Sequence, residues 1–221
     1  MKVIIPYREK SDRCVNKNTR EFFKGRSILD LSVEHLKDHD VTLACLPSPS
    51  STKRAIDLNV KQMTLSAHTS TGSWSELAID IAEKIDLCEH EEPVAFVYCT
   101  CPVFYKLNLV NDFLLRGKEA VESGKSAIVV ESLRHYIVDE NMKGVNFEQG
   151  EGHKYSQSIL KWYSIPGVLT VTTPEDMLKH KYWYSPAPTP LEAVGPCLDI
   201  DTEEDFKIAK TIYATLSQDI L

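Results

Sequence analysis

A short apolar run near the N-terminus is followed by a loop that is rich in cations. Val3–Pro6 has the composition of a buried strand, and the loop after it contains Arg8, Arg13, Lys17 and Arg20. In open α/β sheets, ligands bind at the edge where such loops leave the strands. Fixed cations at that edge bind phosphate groups through charge-assisted hydrogen bonds. The pattern therefore predicts a site for a polyphosphate.

Two aspartates near the C-terminus form a second candidate site. Asp199 and Asp201 stand two positions apart in a mainly apolar segment. On an extended chain, residues at i and i+2 share a face, and carboxylate oxygens suit Mg²⁺. The alternative is that Asp201 or Thr202 only caps the helix that begins at Glu203. That alternative explains Asp199 less well, because Asp199 precedes the cap, so the pair predicts a Mg²⁺ site.

Both segments resemble motifs of one enzyme family. Pro6 to Asn18 fits the spacing P-x-R-x-x-S-x-R-x-x-x-K-N, which resembles the nucleotide loop of acylneuraminate cytidylyltransferases, the CMP-sialic acid synthetase family. Cys197 to Phe206 resembles that family's D-I-D-T-x-x-D-F segment, whose alternate aspartates hold the divalent metal. Phe96 to Pro102 is similar to the Y-x-T-A-P strand end of the pseudaminic acid branch. The stretch from Gln157 to Gly167 follows a further family pattern loosely.

The resemblance implies a fold and an activity. We expect a single α/β domain over residues 1–221, with a mostly parallel, Rossmann-like sheet of the nucleotide-diphospho-sugar transferase type and helices on both faces. Such an enzyme would transfer CMP from CTP to a nonulosonic acid, sialic- or pseudaminic-like, and release pyrophosphate with the help of Mg²⁺. The family is typically dimeric, so we expect a homodimer. An excursion around residues 131–196 would form the dimer contact or a substrate wall.

The resemblance also assigns roles to individual residues. The catalytic contacts to the triphosphate would come from Arg8 and Lys17. The nucleotide site would be completed by Ser11, Arg13, Asn18 and Thr100. The acceptor would contact Tyr98, Phe104, Gln157 and Tyr163, and the metal would bind Asp199 and Asp201. For Arg13 and Arg20, the alternative is a solvated or salt-bridged position in the loop.

Several positions depart from the family pattern. Relatives carry small residues in place of Glu9 and Lys10, and an arginine in place of Phe104 and of Ser156. Glu9 would repel phosphate, and Phe104 beside Tyr98 would make the acceptor pocket more apolar. Two alternatives follow from these departures. The chain could be a weak or inactive relative that binds a nucleotide or a partner protein, or a nucleotidyltransferase for a different sugar acid.

Composition limits the classes of protein and partner. With 221 residues, of which 43% are hydrophobic, the chain is long enough for one sizeable core. A net charge of -7 argues against a nucleic-acid partner, since such proteins need a basic face. Six irregularly spaced cysteines, without an apolar leader or a membrane-length run, predict a cytoplasmic protein. We therefore expect neither nucleic acid nor membrane among its partners.

Alternating apolar runs and helical patterns predict the elements that must position these residues. The predicted strands are Val3–Pro6, Val41–Leu46, Val94–Cys99, Ala127–Val130 and Val168–Val171. The predicted helices are Ile28–Leu36, Trp74–Ile85, Leu107–Val121 and Asp205–Leu216. Such alternation is typical of βα units. Because loops after parallel strands converge on one edge, we expect Arg8 and Thr100 to lie close together.

Overall fold

Strands and helices alternate along most of the chain. The computed structural model describes residues 1–9, 11–70, 73–86, 90–108, 110–155 and 161–217. The strands are β1 (Lys2–Pro6), β2 (Asp40–Cys45), β3 (Lys61–Thr64), β4 (Val94–Val97), β5 (Ala127–Leu133), β6 (Trp162–Ser164), β7 (Leu169–Thr172) and β8 (Thr189–Glu192). The helices are α1 (Ile28–His35), α2 (Pro49–Asp57), α3 (Trp74–Glu83), α4 (Pro102–Leu107), α5 (Val110–Glu122), α6 (Pro174–His180) and α7 (Glu203–Leu216), with a 3₁₀ turn over Ala67–Ser70.

The strands form one mixed sheet in the order β3-β2-β1-β4-β7-β5-β6, with β8 paired to β5. The pairs β1–β2, β2–β3, β1–β4 and β5–β8 are parallel. β7 runs antiparallel to both β4 and β5, and β6 runs antiparallel to β5. The predicted α/β fold with a mostly parallel sheet is confirmed.

Both faces of the sheet are covered, which explains why the central strands read as continuous apolar runs. Val3 and Ile5 point into a core shared with α1, α4, α5 and α7. Ile4, between them, points to the other face and packs in a second cluster with residues of α3 and α6. Within the described ranges, none of the helices has both the length and the apolar composition needed to span a bilayer.

Some helices and strands were not indicated by the sequence, because their segments are short or polar. Ser48-Pro49 looks like a loop, but Ser48 caps α2 and Pro49 occupies its first turn, where proline is well tolerated. The predicted helix Leu107–Val121 corresponds to α5, and α4, which ends at Leu107, is an additional helix that the sequence did not indicate. The proline-rich stretch from Pro186 contains β8, which adds to the sheet beside β5. β8 matters for function because it leads directly into the Asp199–Asp201 segment.

Candidate active site

The site lies where the strand order reverses. From β1 the chain builds β2 and β3 on one side, whereas β4 pairs with β1 on the other side. Open α/β sheets bind ligands in the crevice at such a switch point, outside the carboxyl ends of the strands. β1 is followed by Tyr7 and Arg8, and β4 is followed by Tyr98, Cys99 and Thr100.

Asn18 links these two loops. Its side-chain amide donates to the Arg8 carbonyl at 2.8 Å, and its oxygen lies 3.5 Å from the Cys99 thiol. The expected proximity of the two strand ends is therefore observed. Asn18 is buried and shapes the loop from inside. The guanidinium of Arg8 is exposed and makes no hydrogen bond or ion pair with any other described residue. Ser11, three residues after Arg8, is half-buried.

The C-terminal aspartate segment enters the same crevice. The Ile200 amide donates to the Thr100 carbonyl at 2.9 Å, which holds the segment against the end of β4. Lys17 Nζ donates to the Ile200 carbonyl and lies 3.1 Å from Asp201 Oδ1. Arg13 Nη2 lies 2.9 Å from the same oxygen. The cationic loop and the aspartate pair are thus neighbours in space, and the salt-bridged alternative for Arg13 is observed.

The two aspartates have different surroundings. Asp201 is neutralised by Lys17 and Arg13, whereas no described cation lies within salt-bridge distance of Asp199. Cys101 Sγ lies 3.9 Å from Asp199 Oδ1. Although Thr100 favours the charged carboxylate, the pKa of Asp199 is raised, chiefly because the protein displaces water around it and further because Asp201 repels its charge. The helix α7 is capped by Thr202, so neither aspartate serves as the cap.

This arrangement fits a bound Mg²⁺. Over the described part of the chain, His, Cys, Asp and Glu side chains nowhere form a group of three or more that could hold a metal ion. Mg²⁺ does not need such a cage, since it is commonly held by one or two carboxylates together with substrate phosphates and water. A carboxylate with a raised pKa and a like charge two residues away is stabilised by a cation. Asp199 supplies that carboxylate.

The Glu9 carboxylate is hydrogen-bonded to two serines. It accepts hydrogen bonds from Ser48 Oγ at 3.0 Å and from Ser50 Oγ. Both serines lie at the N-terminus of α2, where the helix dipole favours negative charge. The predicted repulsion between Glu9 and phosphate is therefore reduced by local contacts. Lys10 lies outside the described residues.

An aromatic cluster surrounds Tyr98, the first residue after β4. Tyr98 packs edge-on against Trp74 and Trp183, with ring centroids 5.7 and 6.1 Å apart. Burial raises the pKa of the Tyr98 hydroxyl, so it stays protonated at neutral pH. Trp74, the first residue of α3, is 60% exposed. In the sequence, Trp74 is only an aromatic residue at the start of a predicted helix, and nothing there indicates a role in the site.

The other predicted acceptor residues lie elsewhere. Phe104 is fully buried in α4 and packs against Tyr105 and Phe113. The interpretation of Phe104 as a pocket residue is therefore wrong, because α4 turns this side chain into the core. Tyr163 is half-exposed on β6 and pairs with Ser132, beyond the carboxyl end of the buried part of β5. Gln157 and Ser156 lie outside the described residues.

Comparisons with solved structures support the fold. No protein-family model and no curated protein matches the chain. A CMP:2-keto-3-deoxy-manno-octonic acid synthetase complexed with CTP is similar in structure, with a TM-score of 0.64, 12% identity and coverage of 99% of this chain and 98% of that one. A 4-diphosphocytidyl-2C-methyl-D-erythritol synthase from Anaerococcus prevotii gives 0.62 and 12%, over 95% of this chain and 96% of that one.

A third similar structure is molybdopterin-guanine dinucleotide biosynthesis protein A from Archaeoglobus fulgidus. Its TM-score is 0.58 at 11% identity, and the match covers 97% of this chain and all of that chain (100%). At such identities the likeness concerns the fold alone. The chain therefore has the nucleotide-diphospho-sugar transferase fold that its sequence predicts.

Proposed function

We propose that this protein is a cytidylyltransferase that transfers CMP from CTP to a nonulosonic acid. The observation that carries the proposal is the meeting of the Arg8–Asn18 loop with Asp199 and Asp201 at the switch point of the sheet. A structural neighbour with CTP bound is a CMP:2-keto-3-deoxy-manno-octonic acid synthetase, which favours CTP and a sugar acid as the substrates here. The acceptor would belong to the sialic- or pseudaminic-like acids that the sequence motifs indicate.

In the proposed reaction, an acceptor hydroxyl oxygen bonds to the α-phosphorus of CTP. The bond between that phosphorus and the pyrophosphate oxygen breaks, and the hydroxyl proton leaves to solvent or to a nearby carboxylate. The main demand on the protein is to neutralise phosphate charge and to hold the reacting groups in line. Arg8, which is exposed and has no described partner, would bind the triphosphate, and Ser11 would add a hydrogen bond.

Lys17 and Arg13 would act between the phosphates and the aspartates. Both already contact Asp201, and a triphosphate entering the crevice would compete for them. Mg²⁺ held by Asp199 and Asp201 would supply further positive charge to the phosphates. Thr100, which favours the charged form of Asp199, would help to keep that carboxylate ionised for the metal. Asn18 would contribute by fixing the loop around Arg8.

The acceptor would lie against the aromatic side of the crevice. Tyr98 offers a protonated hydroxyl, and the exposed ring of Trp74 offers an apolar face to a sugar ring. Such a surface favours an acid with fewer hydroxyl groups, as in the pseudaminic branch, over N-acetylneuraminic acid. We further propose that the protein acts as a homodimer, with the segment around β6 and Tyr163 at the contact.

A second candidate function is nucleotide binding without catalysis. It is favoured by the ion pairs of Arg13, Lys17 and Arg20 with Asp201 and Glu203, which occupy most of the loop cations within the protein. In that case the loop would hold the C-terminal segment, and Arg8 alone would receive a phosphate.

Pyrophosphate release distinguishes these functions. We would combine CTP, ATP, GTP and UTP with N-acetylneuraminic acid, a 5,7-diamino-nonulosonic acid and 2-keto-3-deoxy-octonic acid in the presence of Mg²⁺. The proposal expects release with CTP and a nonulosonic acid. Release with another nucleotide or only with the octonic acid would indicate a different nucleotidyltransferase, and CTP binding without release would indicate the second candidate.

Two aspartate variants make this experiment specific for the site. We expect Asp199→Asn to lower turnover by about a hundredfold or more, in the range seen when a preorganised electrostatic group is removed, without loss of folding stability. Asp112→Asn is the matched control, because Asp112 is an exposed aspartate on α5, next to Asn111, which bonds His39 at the opposite edge of the sheet. Unchanged pyrophosphate release by Asp199→Asn would refute the metal assignment.

A further inference from the structure

Arg20 makes a compact set of contacts just behind the crevice. Its two terminal nitrogens donate to the two oxygens of Glu203, at 3.0 and 2.8 Å. Its guanidinium carbon lies 3.7 Å from the centre of the Phe206 ring, and one nitrogen lies 3.3 Å from the Cys14 sulfur. Glu203 also accepts the Val15 amide at 3.2 Å. One arginine thus ties the cationic loop to the first turn of α7.

These contacts fix geometry in a way that a single ion pair does not. A bidentate arginine–carboxylate pair sets both distance and angle, and the planar guanidinium stacks on an aromatic ring. Phe206 is itself buried and packs edge-on against Phe22, with ring centroids 5.3 Å apart. Arg20 is therefore held between a rigid core cluster and Glu203, the first residue of α7 after its cap Thr202.

Glu203 follows the aspartate pair by only two residues. The position of the first turn of α7 therefore determines where the extended Asp199–Asp201 segment lies relative to Lys17 and Thr100. Arg13 and Lys17 bind Asp201 directly, and phosphates or a metal would compete for those contacts. The pair between Arg20 and Glu203 involves neither aspartate, so a ligand that binds the aspartates does not compete for it.

We propose that Arg20 is a positioning residue that sets the metal affinity of the Asp199–Asp201 segment through Glu203. This inference rests on the proposed function, since it concerns the same metal site. Groups that orient metal ligands from outside the first coordination sphere change metal affinity by about 10- to 100-fold when they are removed. Arg20 touches neither aspartate and acts one step further away, through Glu203 and the first turn of α7, so we expect an effect at the lower end of that range. A lysine cannot replace it, because lysine offers neither the fork nor the stacking plane.

The test measures Mn²⁺ affinity by electron paramagnetic resonance, without CTP. We expect Arg20→Gln and Arg20→Lys to weaken Mn²⁺ binding by about tenfold, within the range for such groups. Glu203→Gln should have the same effect, and the double variant should be no weaker than either single variant. Glu203→Gln also covers the case in which the arginine variants fail to fold.

The matched control is Arg54→Gln. Arg54 on α2 forms a comparable pair with Asp30 at 2.5 Å, and its side chain is 24% exposed against 30% for Arg20. It should lose stability while keeping wild-type Mn²⁺ affinity. Wild-type affinity in the Arg20 variants, or an equal loss in Arg54→Gln, would overturn the positioning role. Failure of the wild type to bind Mn²⁺ both alone and with CTP added to supply phosphate ligands would overturn the metal site as well, whereas the pyrophosphate screen tests the reaction separately.

Discussion

Lys17 Nζ lies 3.1 Å from Asp201 Oδ1, although 184 positions separate the two residues in the chain. The ammonium group also donates to the Ile200 carbonyl, so it holds both the backbone and the side chain of the aspartate segment. The two most chemically distinctive segments of the sequence are therefore joined directly. Any anion that binds Lys17, or any cation that binds Asp201, must compete with this pair.

The first prediction compares the two cations that contact Asp201. The Lys17 side chain is 12% exposed and that of Arg13 is 70% exposed. Lys17→Met should lower the free energy of unfolding by about 1.5–3 kcal/mol, as expected for hydrogen bonds to a charged group. Arg13→Gln should lower it by less than about 0.5 kcal/mol, because exposed ion pairs contribute little. Urea unfolding of both variants measures the difference, and equal losses would contradict the assigned burial of Lys17.

The second prediction concerns Arg8 and the identity of the nucleotide. CTP should raise the melting temperature of the protein more than ATP or GTP does, since a ligand that binds only the folded state stabilises it. Arg8→Gln should weaken CTP binding by about tenfold, the worth of a charge-assisted contact of about 1.5 kcal/mol. The melting temperature without ligand should not change, because Arg8 has no described partner to lose. Arg116→Gln, on α5, serves as the control, and a similar loss of CTP binding there would count against a specific role for Arg8.

The sequence predicted the layout of the site better than its contacts. The central strands contain apolar runs that are long enough to be recognised in the sequence. Because β1 and β4 are parallel neighbours, the loops at Arg8 and Thr100 must lie at the same edge of the sheet. Which cation pairs with which carboxylate depends on rotamers and loop paths that no local pattern encodes. Arg20 shows this, since its partner Glu203 is 183 positions away. The strands β3 and β8 are no shorter than β4 and β7, but their mainly polar or proline-containing sequences lack the apolar run by which β4 and β7 are recognised.

Phe104 illustrates a second limit. Its comparison with an arginine in relatives implied a pocket position, but the orientation of a helical side chain depends on where the helix begins. Phe104 lies on α4 (Pro102–Leu107), a helix that the sequence did not indicate, and this helix packs with the Phe104 side chain in the core. Trp74 was not identified for a related reason: its exposure beside Tyr98 follows from the way α3 packs on the sheet.

The third prediction concerns the pH dependence of stability at Asp199. Its pKa is raised in the folded protein by loss of surrounding water and by Asp201, so the folded state binds a proton there more tightly than the unfolded chain does. Above the ordinary aspartate pKa of about 3.9, the charged Asp199 therefore destabilises the fold, and below it the effect vanishes. Asp199→Asn should raise the melting temperature at pH 7 in the presence of EDTA, and by less at pH 4. If Asp199→Asn raised the melting temperature more at pH 4 than at pH 7, the direction of the Asp199 pKa shift would be contradicted.

The last prediction addresses acceptor recognition by Trp74. Its exposed ring lies edge-on to Tyr98 and Trp183, so one aromatic face is available to the apolar side of a sugar ring. Aromatic contacts contribute about 0.5–1.5 kcal/mol beyond the area they bury, so Trp74→Ala should raise the acceptor KM about five- to tenfold while the KM for CTP stays constant. Trp74→Phe should recover part of the loss. Trp162, a partly exposed tryptophan on β6, provides the control variant Trp162→Phe.

The effect of Trp74→Ala should be larger for a 5,7-diamino-nonulosonic acid than for N-acetylneuraminic acid, because the acid with fewer hydroxyl groups depends more on the aromatic face. Equal KM values in Trp74→Ala and the wild type, with turnover intact, would place the acceptor away from this ring and leave cytidylyl transfer itself unaffected.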